Sequence, residues 1–464
     1  MNIPAPPGRT FLPYQLAAIR YMMGAPGSLL ADEMGLGKTP TAIGVISAMS
    51  GERGVSAPPL SVLIVCPAHL VLNWRAELAD WLVGDAGCTV ISYNGAVKMA
   101  EGQTPMFDLL IVDECHYIKR AQTQRCAAVT ALAARAHRRI MISGTPFENA
   151  PIELWPILQI VAPEAWDPPG YRDIAVSAEQ KKTHPGEGYN FWRFANRYCD
   201  LKRTRYRQGR YWREAWDFSG GSNLRELQER LRATCMVRRL KSDVLYQLPP
   251  KRRQVIVLDV RGCDDGGLLP DMTEENYLAT IARLTAEKVF FEAWSATRHA
   301  QGLAMVDAVI PHIEDALEST RKRILFCHHR DVAAAYHRAF DAMGLCPVLY
   351  TGDSHAADKH AAVKRFQTDA DCRLFIGTGA AGTGITLTAA QGVDFAEIDP
   401  VPGVMSQRED RAHRVGQRDM VHVRLFVKDN SLSARMARII VRKQELLTAG
   451  LDSTGAAAEP RGRT

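Results

Sequence analysis

The sequence predicts an α/β protein with two doubly wound parallel-sheet domains joined by a basic, mainly helical segment. Three observations carry that prediction. Short apolar runs bounded by turn residues recur in both halves of the 464-residue chain, with helical patterns between them. A glycine-rich turn at 31–39 follows the first run and opens a helix. Two adjacent acids, Asp113 and Glu114, close another run, at the sheet edge where open α/β folds bind ligands.

In the first half the expected strands are Ser28–Ala31, Val62–Cys66, Leu109–Val112 and Arg139–Ile142. In the second half they are Ile324–Cys327, Pro347–Tyr350, Arg373–Ile376, Gly392–Ala396 and Val421–Val427. Such runs suit strands buried on both faces, and the stretches between them are long enough for crossover helices. Residues 166–250 hold no convincing buried strand. They are rich in Arg, Trp and Tyr, contain a helix-like stretch from Asn223 to Leu240, and close on Pro249-Pro250, which suits a linker. Residues 274–320 read as a helical protrusion, and the Gly-, Ala- and Pro-containing end from Thr448 as a frayed tail. The expected domains are 1–165, 166–250, 251–447 and a tail at 448–464.

Hydrophobic residues make up 46% and charged residues 23%, which excludes a mostly disordered, collagen-like or coiled-coil chain. No uninterrupted apolar run approaches the roughly 18 residues of a membrane span. The Pro-rich start lacks the basic and apolar regions of a secretory leader. The ten cysteines form no C-x-x-C pair, so buried free thiols in a reducing compartment, without zinc, are expected. The expected location is cytoplasmic, in a bacterial cell or phage-infected host, or nuclear if the source is eukaryotic. Net charge is only +6, yet residues 193–253 carry 17 Lys and Arg against 6 Asp and Glu. That concentration suits a surface that meets a polyanion.

Three motifs carry chemistry. In Asp32-Glu33-Met34-Gly35-Leu36-Gly37-Lys38-Thr39 the two glycines let several N–H groups face one point, and the helix start adds partial positive charge. Lys38 then suits β- and γ-phosphates, and the Thr39 hydroxyl suits Mg²⁺. The pattern G-x-x-x-x-G-K-[ST] is not met in full, because Asp32 stands at its first Gly. Taken alone, a plain glycine-rich turn is the alternative. Pro40 sits in the first helical turn, where its missing N–H costs no intrahelical bond. At the second motif Asp113 suits Mg²⁺, and Glu114 suits orienting or deprotonating the attacking water. Adjacent carboxylates repel without a cation nearby, so a solvated turn is the weaker reading once both motifs share a domain. In the third motif, 407–417, Arg411 and Arg414 are three apart and would share a helix face. Guanidinium forks clamp phosphate oxygens, and one reaching a γ-phosphate is worth roughly 10³–10⁵ in rate. A surface helix with salt bridges is the alternative there.

These residues resemble the Swi/Snf-like branch of superfamily-two DNA helicases over nearly the whole chain. The resemblance rests on Tyr14-Gln15, D-E-M-G-L-G-K-T (32–39), L-I-V-C-P-A (63–68) with Asn73-Trp74, D-E-C-H (113–116), S-G-T-P-F-E-N (143–149) and the run at 407–417. Within that branch the chain looks most like the annealing helicases. The signs are N-R-Y-C-D (196–200), D-F-S-G-G-S-N-L-R-E-L (217–227), R-R-L-K-S-D-V-L-Y-Q-L-P-P-K (238–251), A-A-G-T-G-I-T-L-T (380–388) and F-A-E (395–397).

The resemblance implies two RecA-like lobes with a helical insertion, DNA-stimulated ATP hydrolysis and translocation along a duplex. By position it implies that Gln15 meets adenine and that Gln407 and residues 32–39 help to bind ATP. Lys38, Thr39, Asp113 and Glu114 would form the hydrolytic site with Mg²⁺, and Arg411 and Arg414 the fingers. Ser143, Thr145 and His116 would couple hydrolysis to lobe movement, and Asn73 and Trp74 would touch DNA. Ser143 replaces the usual Thr, and the 377–384 loop lacks an arginine that many members carry. No accessory domain is visible, so ATPase and translocase activity are expected ahead of annealing.

The expected partner is double-stranded or branched DNA, with no membrane role. Its footprint is expected on 193–253, where arginines interleave with Phe194, Tyr198, Tyr206, Tyr211, Trp212, Trp216 and Phe218. Arg238, Arg239 and Lys241, just before the linker, are placed to touch the DNA backbone. A helix core with a solvated arginine face is the alternative. Two competing functions stand beside the motor: a strand-separating helicase, and a catalytically idle DNA-binding adaptor with a helicase fold.

Overall fold

A computed structural model of the chain describes residues 3–53, 57–147, 150–166, 176–177, 188–208, 211–218, 220–245, 248–249, 251–260, 288–382, 385–399, 402–429, 431 and 433–438. The chain divides into two compact units, one built on Met1–Glu33 with Gly37–Val244, the other on Leu245–Gln444 with Met34–Leu36.

The first unit holds β1 (Gly27–Leu30), β2 (Leu60–Cys66), β3 (Ala86–Ser92), β4 (Phe107–Asp113), β5 (Ala136–Ile142) and β8 (Met236–Val237). They form one sheet in the order β3-β2-β4-β5-β1-β8, with every pairing parallel. Side chains alternate across a strand, so a run such as Leu109–Val112 must be apolar throughout to be covered on both faces. Leu63, Val65, Leu110 and Val112 enter one core cluster, and Val62, Ile64, Leu109 and Ile111 the other. Helices α1 (Pro13–Gly24), α2 (Lys38–Glu52), α3 (Val71–Trp81), α4 (Tyr93–Ala100), α5 (Gln124–Ala133) and α6 (Trp155–Val161) belong to this unit.

The second unit repeats the plan. Its strands are β9 (Lys251–Leu258), β10 (Arg323–Phe326), β11 (Val348–Tyr350), β12 (Leu374–Gly377), β13 (Gly392–Phe395) and β14 (Val421–Lys428). The order is β11-β12-β10-β13-β14-β9, again parallel throughout. Inside it Asp394, fully buried, receives both forks of Arg323 at 2.7 and 2.9 Å and Arg424 Nε at 2.6 Å. Helices Lys288–Ala304 and Val306–Ser319 fall within the expected protrusion. Its 274–287 part and the tail from Thr448 lie outside the described residues.

The segment 166–250 holds one short buried strand, β8, against the expectation of none, and an exposed hairpin besides. An antiparallel hairpin, β6 (Lys202–Gln208) with β7 (Tyr211–Asp217), stands apart from both large sheets. The helix expected to run on to Leu240 stops at Thr234. The chain then extends into β8, because the edge of β1 offers its backbone partners. Leu29 N–H donates to Cys235 C=O at 2.8 Å and Ala31 N–H to Val237 C=O at 2.7 Å. Among the described residues no helix is long and apolar enough to cross a membrane.

Candidate active site

The first unit brings the loop after β1 and the acids ending β4 to one place. Gly35 and Gly37 both adopt positive φ, +84° and +73°. A Cβ on Gly37 would also lie 2.6 Å from Gln15 Nε2, so the Gln15 amide is packed against the loop itself. Gln15 is buried, and its Oε1 accepts from Leu12 N–H at 2.9 Å. α2 begins at Lys38, with Thr39 and Pro40 in its first turn. The Lys38 ammonium donates to the carbonyls of Asp32 at 2.9 Å and Glu33 at 3.3 Å. Burial pushes its pKa below the usual lysine range, against the pull of Glu114, Asp32 and Asp113.

Asp113 is buried at the end of β4, and both of its oxygens are engaged. Oδ1 accepts from Glu114 N–H at 2.9 Å and Oδ2 from the Trp74 indole N–H at 2.8 Å. Burial, and then the adjacent Glu114 carboxylate, push the Asp113 carboxyl up to about 7, against the Trp74 and Glu114 N–H donors and Lys38. Glu114 takes a left-handed backbone, φ 51° and ψ 53°, uncommon for a non-glycine residue and typical of sites held by their surroundings. The Tyr93 hydroxyl bonds the carbonyls of Asp113 at 2.9 Å and Glu114 at 3.1 Å, which pins this turn. His116 Nδ1 lies 3.3 Å from Glu114 Oε2 and 3.3 Å from Ser143 Oγ, and Ser143 Oγ accepts from Thr145 N–H at 3.2 Å. One imidazole nitrogen therefore lies between the acid that would handle water and the turn after β5.

The donor set suits a hard divalent cation. Thr39 and Asp113 supply oxygens, and each Asp113 oxygen keeps a lone pair beyond its N–H partner. Two adjacent carboxylates in a buried setting also favour a cation between them and solvent.

Four of the residues expected on DNA are engaged within their own unit. Trp74 is fully buried and spends its one donor on Asp113, so it orients the acid motif. Its neighbour Asn73 stays partly exposed on α3. Arg238 is buried, with Nη1 donating to the carbonyls of Ala31 at 2.9 Å and Gly144 at 3.2 Å. Arg239 Nη1 lies 3.3 Å from the buried Asp32 Oδ2, and Glu33 N–H donates to Arg239 C=O at 2.9 Å. Lys241 is buried too, its N–H donating to Glu33 Oε2 at 2.7 Å and its ammonium 3.8 Å from Oε1. Because β8 pairs beside β1, these side chains turn toward the loop. Phe194 and Tyr198 are also core, packed with Trp166, and Trp216 and Phe218 lie against Trp192. The side chains of Tyr206, Tyr211 and Trp212 lie outside the described residues.

In the second unit the helix carrying the third motif ends at Glu409, so Arg411 and Arg414 do not share a helix face. Side chains compete for the groups that would continue it. Arg411 Nε takes the Gln407 carbonyl at 3.0 Å, and Glu409 is drawn to Arg253 at 2.7 Å and Lys251 at 2.7 Å. The two arginines instead share one loop, Arg411 Nη1 on Ile385 C=O at 3.3 Å and Arg414 Nη1 on Thr386 Oγ1 at 2.9 Å. His413 Nε2 donates to Pro249 C=O at 2.8 Å, and Lys251 reaches Asp410 at 3.3 Å. Gln407 is buried.

Sequence reasoning missed Tyr93, the role of Trp74 and the strap at 236–241. None leaves a local pattern, because each acts on a residue distant in sequence.

The model of the SNF2-related domain matches residues 14–101 and 85–265, and that of the helicase conserved C-terminal domain matches 305–416. The chain is 28% identical over 462 residues to the SWI/SNF-related matrix-associated actin-dependent regulator of chromatin subfamily A-like protein 1 of Xenopus tropicalis, covering 95% of this chain and 45% of that protein. It is 30% identical over 463 residues to the DNA annealing helicase and endonuclease ZRANB3 of Bos taurus, covering 94% and 40%. The chain thus spans less than half the length of either relative. A solved SWI2/SNF2 ATPase core of Sulfolobus solfataricus in complex with double-stranded DNA is similar at 19% identity and a TM-score of 0.39, over 94% of this chain and 92% of that one. With the SNF2-related model spanning more than half of its length, the chain belongs to the SNF2-related family of nucleotide-binding helicase-type proteins.

Proposed function

We propose that the chain is an ATP-driven motor that hydrolyses ATP to translocate on double-stranded or branched DNA, remodelling or reannealing it or displacing bound proteins. The observation that carries the reading is the Lys38, Asp113, Glu114, His116 and Ser143 cluster at the end of the first sheet. The annealing activity named for ZRANB3 and the family match support the DNA partner. Lys38 leaves its carbonyl partners for the β- and γ-phosphates. Thr39 and Asp113 would hold Mg²⁺, which when bound would offset charge on the phosphate oxygens. Glu114 orients or deprotonates water, and its charge acts on the nearby His116 imidazole, which lies against Ser143. Gln15 and Gln407 help to hold the nucleotide. Arg411 and Arg414 meet transition-state charge as cations that stay protonated when buried.

The test pairs Lys38→Ala with Glu114→Gln. Both should abolish DNA-stimulated phosphate release while duplex binding stays measurable by fluorescence anisotropy. Phosphate release at the wild-type rate in both variants removes the assignment and leaves the adaptor reading.

A further inference from the structure

Asp32 stands where the phosphate-loop pattern has glycine, and it brings a problem. Its carboxylate is almost fully buried immediately before an anion-binding loop. There it repels phosphate and attracts the one mobile cation of the loop, Lys38, whose ammonium rests on the Asp32 carbonyl. The chain meets this from the edge of the sheet. Residues 238–241 run beside 31–33 and hold them one by one: Arg238 on the Ala31 carbonyl, Arg239 on the Asp32 carboxylate, and the Lys241 N–H and ammonium on the Glu33 carboxylate.

We propose that Arg239 is a positioning residue for the nucleotide loop: its guanidinium neutralises Asp32 and so leaves the Lys38 ammonium available to phosphate. The proposal rests on the ATP-site reading above and deepens it. It converts a residue that the sequence places on DNA into one that tunes nucleotide affinity without touching nucleotide. It also predicts an unusual genetic relation. Removing the guanidinium harms the site only while the carboxylate is there, so loss of Asp32's charge should rescue loss of Arg239.

The experiment titrates a fluorescent ADP (mant-ADP) with Mg²⁺ into the full chain, without DNA. Arg239→Ala should weaken binding about tenfold, the scale of a coupled charge pair. Asp32→Asn with Arg239→Ala should return to within about threefold of wild type. Arg239→Lys, which keeps the charge and loses the fork, should bind much more tightly than Arg239→Ala. The proposal is overturned if Arg239→Ala binds as wild type, if the double variant is no tighter than the single one, or if Arg239→Lys is as weak as Arg239→Ala. Should Arg239→Ala not fold, the lysine variant and the comparison of Asp32→Asn with the double variant decide. Equal affinity of that last pair supports action through Asp32 alone, and a further loss in the double variant overturns it. Lys38→Ala in the same titration separates the two levels. Wild-type affinity in that variant removes the ATP-site reading itself, whatever Arg239 does.

Discussion

Trp74→Phe isolates one hydrogen bond of the candidate site. Phenylalanine fills most of the buried indole volume but lacks the N–H that reaches Asp113 Oδ2 at 2.8 Å. A hydrogen bond to a charged group is worth about 1.5–3 kcal/mol, and one pKa unit corresponds to about 1.4 kcal/mol. The donor favours the ionised carboxylate, so its loss pushes the Asp113 pKa further above the usual carboxylate range. Where the chemistry needs the ionised form, losing a bond of about 1.5–3 kcal/mol to that form lowers activity near neutral pH by at most roughly 10- to 100-fold. The loss shrinks as the pH rises toward 9. The assay is kcat/KM for DNA-stimulated ATP hydrolysis across pH, with duplex affinity measured in parallel. An unmoved acid limb refutes the argument. So does an unchanged rate together with weakened duplex binding, which is what a Trp74 on the DNA surface would give.

Two further outcomes test the second unit. Asp394→Asn leaves Arg323 and Arg424 buried without their shared anion, and should lower its unfolding free energy in urea by about 3–5 kcal/mol; a loss below about 1 kcal/mol rejects the triad as a structural centre. Glu409 is pushed up by burial, but Lys251 and Arg253 outweigh this and hold its pKa below the usual 4.5. A lowered folded pKa gives stability that is present above 4.5 and lost as pH falls through the folded value. Glu409→Gln should therefore flatten the fall in urea midpoint below pH 4.5, and an acid limb identical to wild type refutes the pairing.

Strands buried on both faces were legible because burial demands an unbroken apolar run. Leu63 to Val65 and Leu109 to Val112 serve two cores at once. β3 was not, since Gly87 and Thr89 on this edge strand are exposed and dilute the pattern. β9 was hidden for another reason. It opens on Lys251-Arg252-Arg253; Arg252 faces solvent, and Lys251 and Arg253 are held by Glu409 and Asp410, more than 150 positions away. The site divides the same way. Lys38, Asp113, Glu114, His116 and Ser143 follow strand ends, where sequence position already implies the sheet edge. Trp74 and Arg239 act on Asp113 and Asp32 from 39 and 207 positions away, and no window spans those pairs.

The same pairs change what the basic segment means. A net charge of +11 over 193–253 suggests a continuous polyanion surface. Yet five of its last six cations, Arg238, Arg239, Lys241, Lys251 and Arg253, meet carbonyls or carboxylates of their own unit. What remains for phosphate lies earlier: Lys202, Arg205 and Arg225 expose 69%, 74% and 80% of their side chains. Their partners Asp200, Glu214 and Glu229 are surface acids, and such exposed pairs are worth so little that a phosphate can displace them. The hairpin and the helix Leu224–Thr234 are therefore the stronger candidates for the DNA footprint. The connection that follows is fastened to the phosphate loop at 238–241 in one unit and to the arginine motif at 249–253 in the other. Each end's charge is spent inside its own unit, so neutralising Arg239 or Lys251 should weaken duplex affinity, measured by fluorescence anisotropy, less than neutralising Lys202, Arg205 or Arg225.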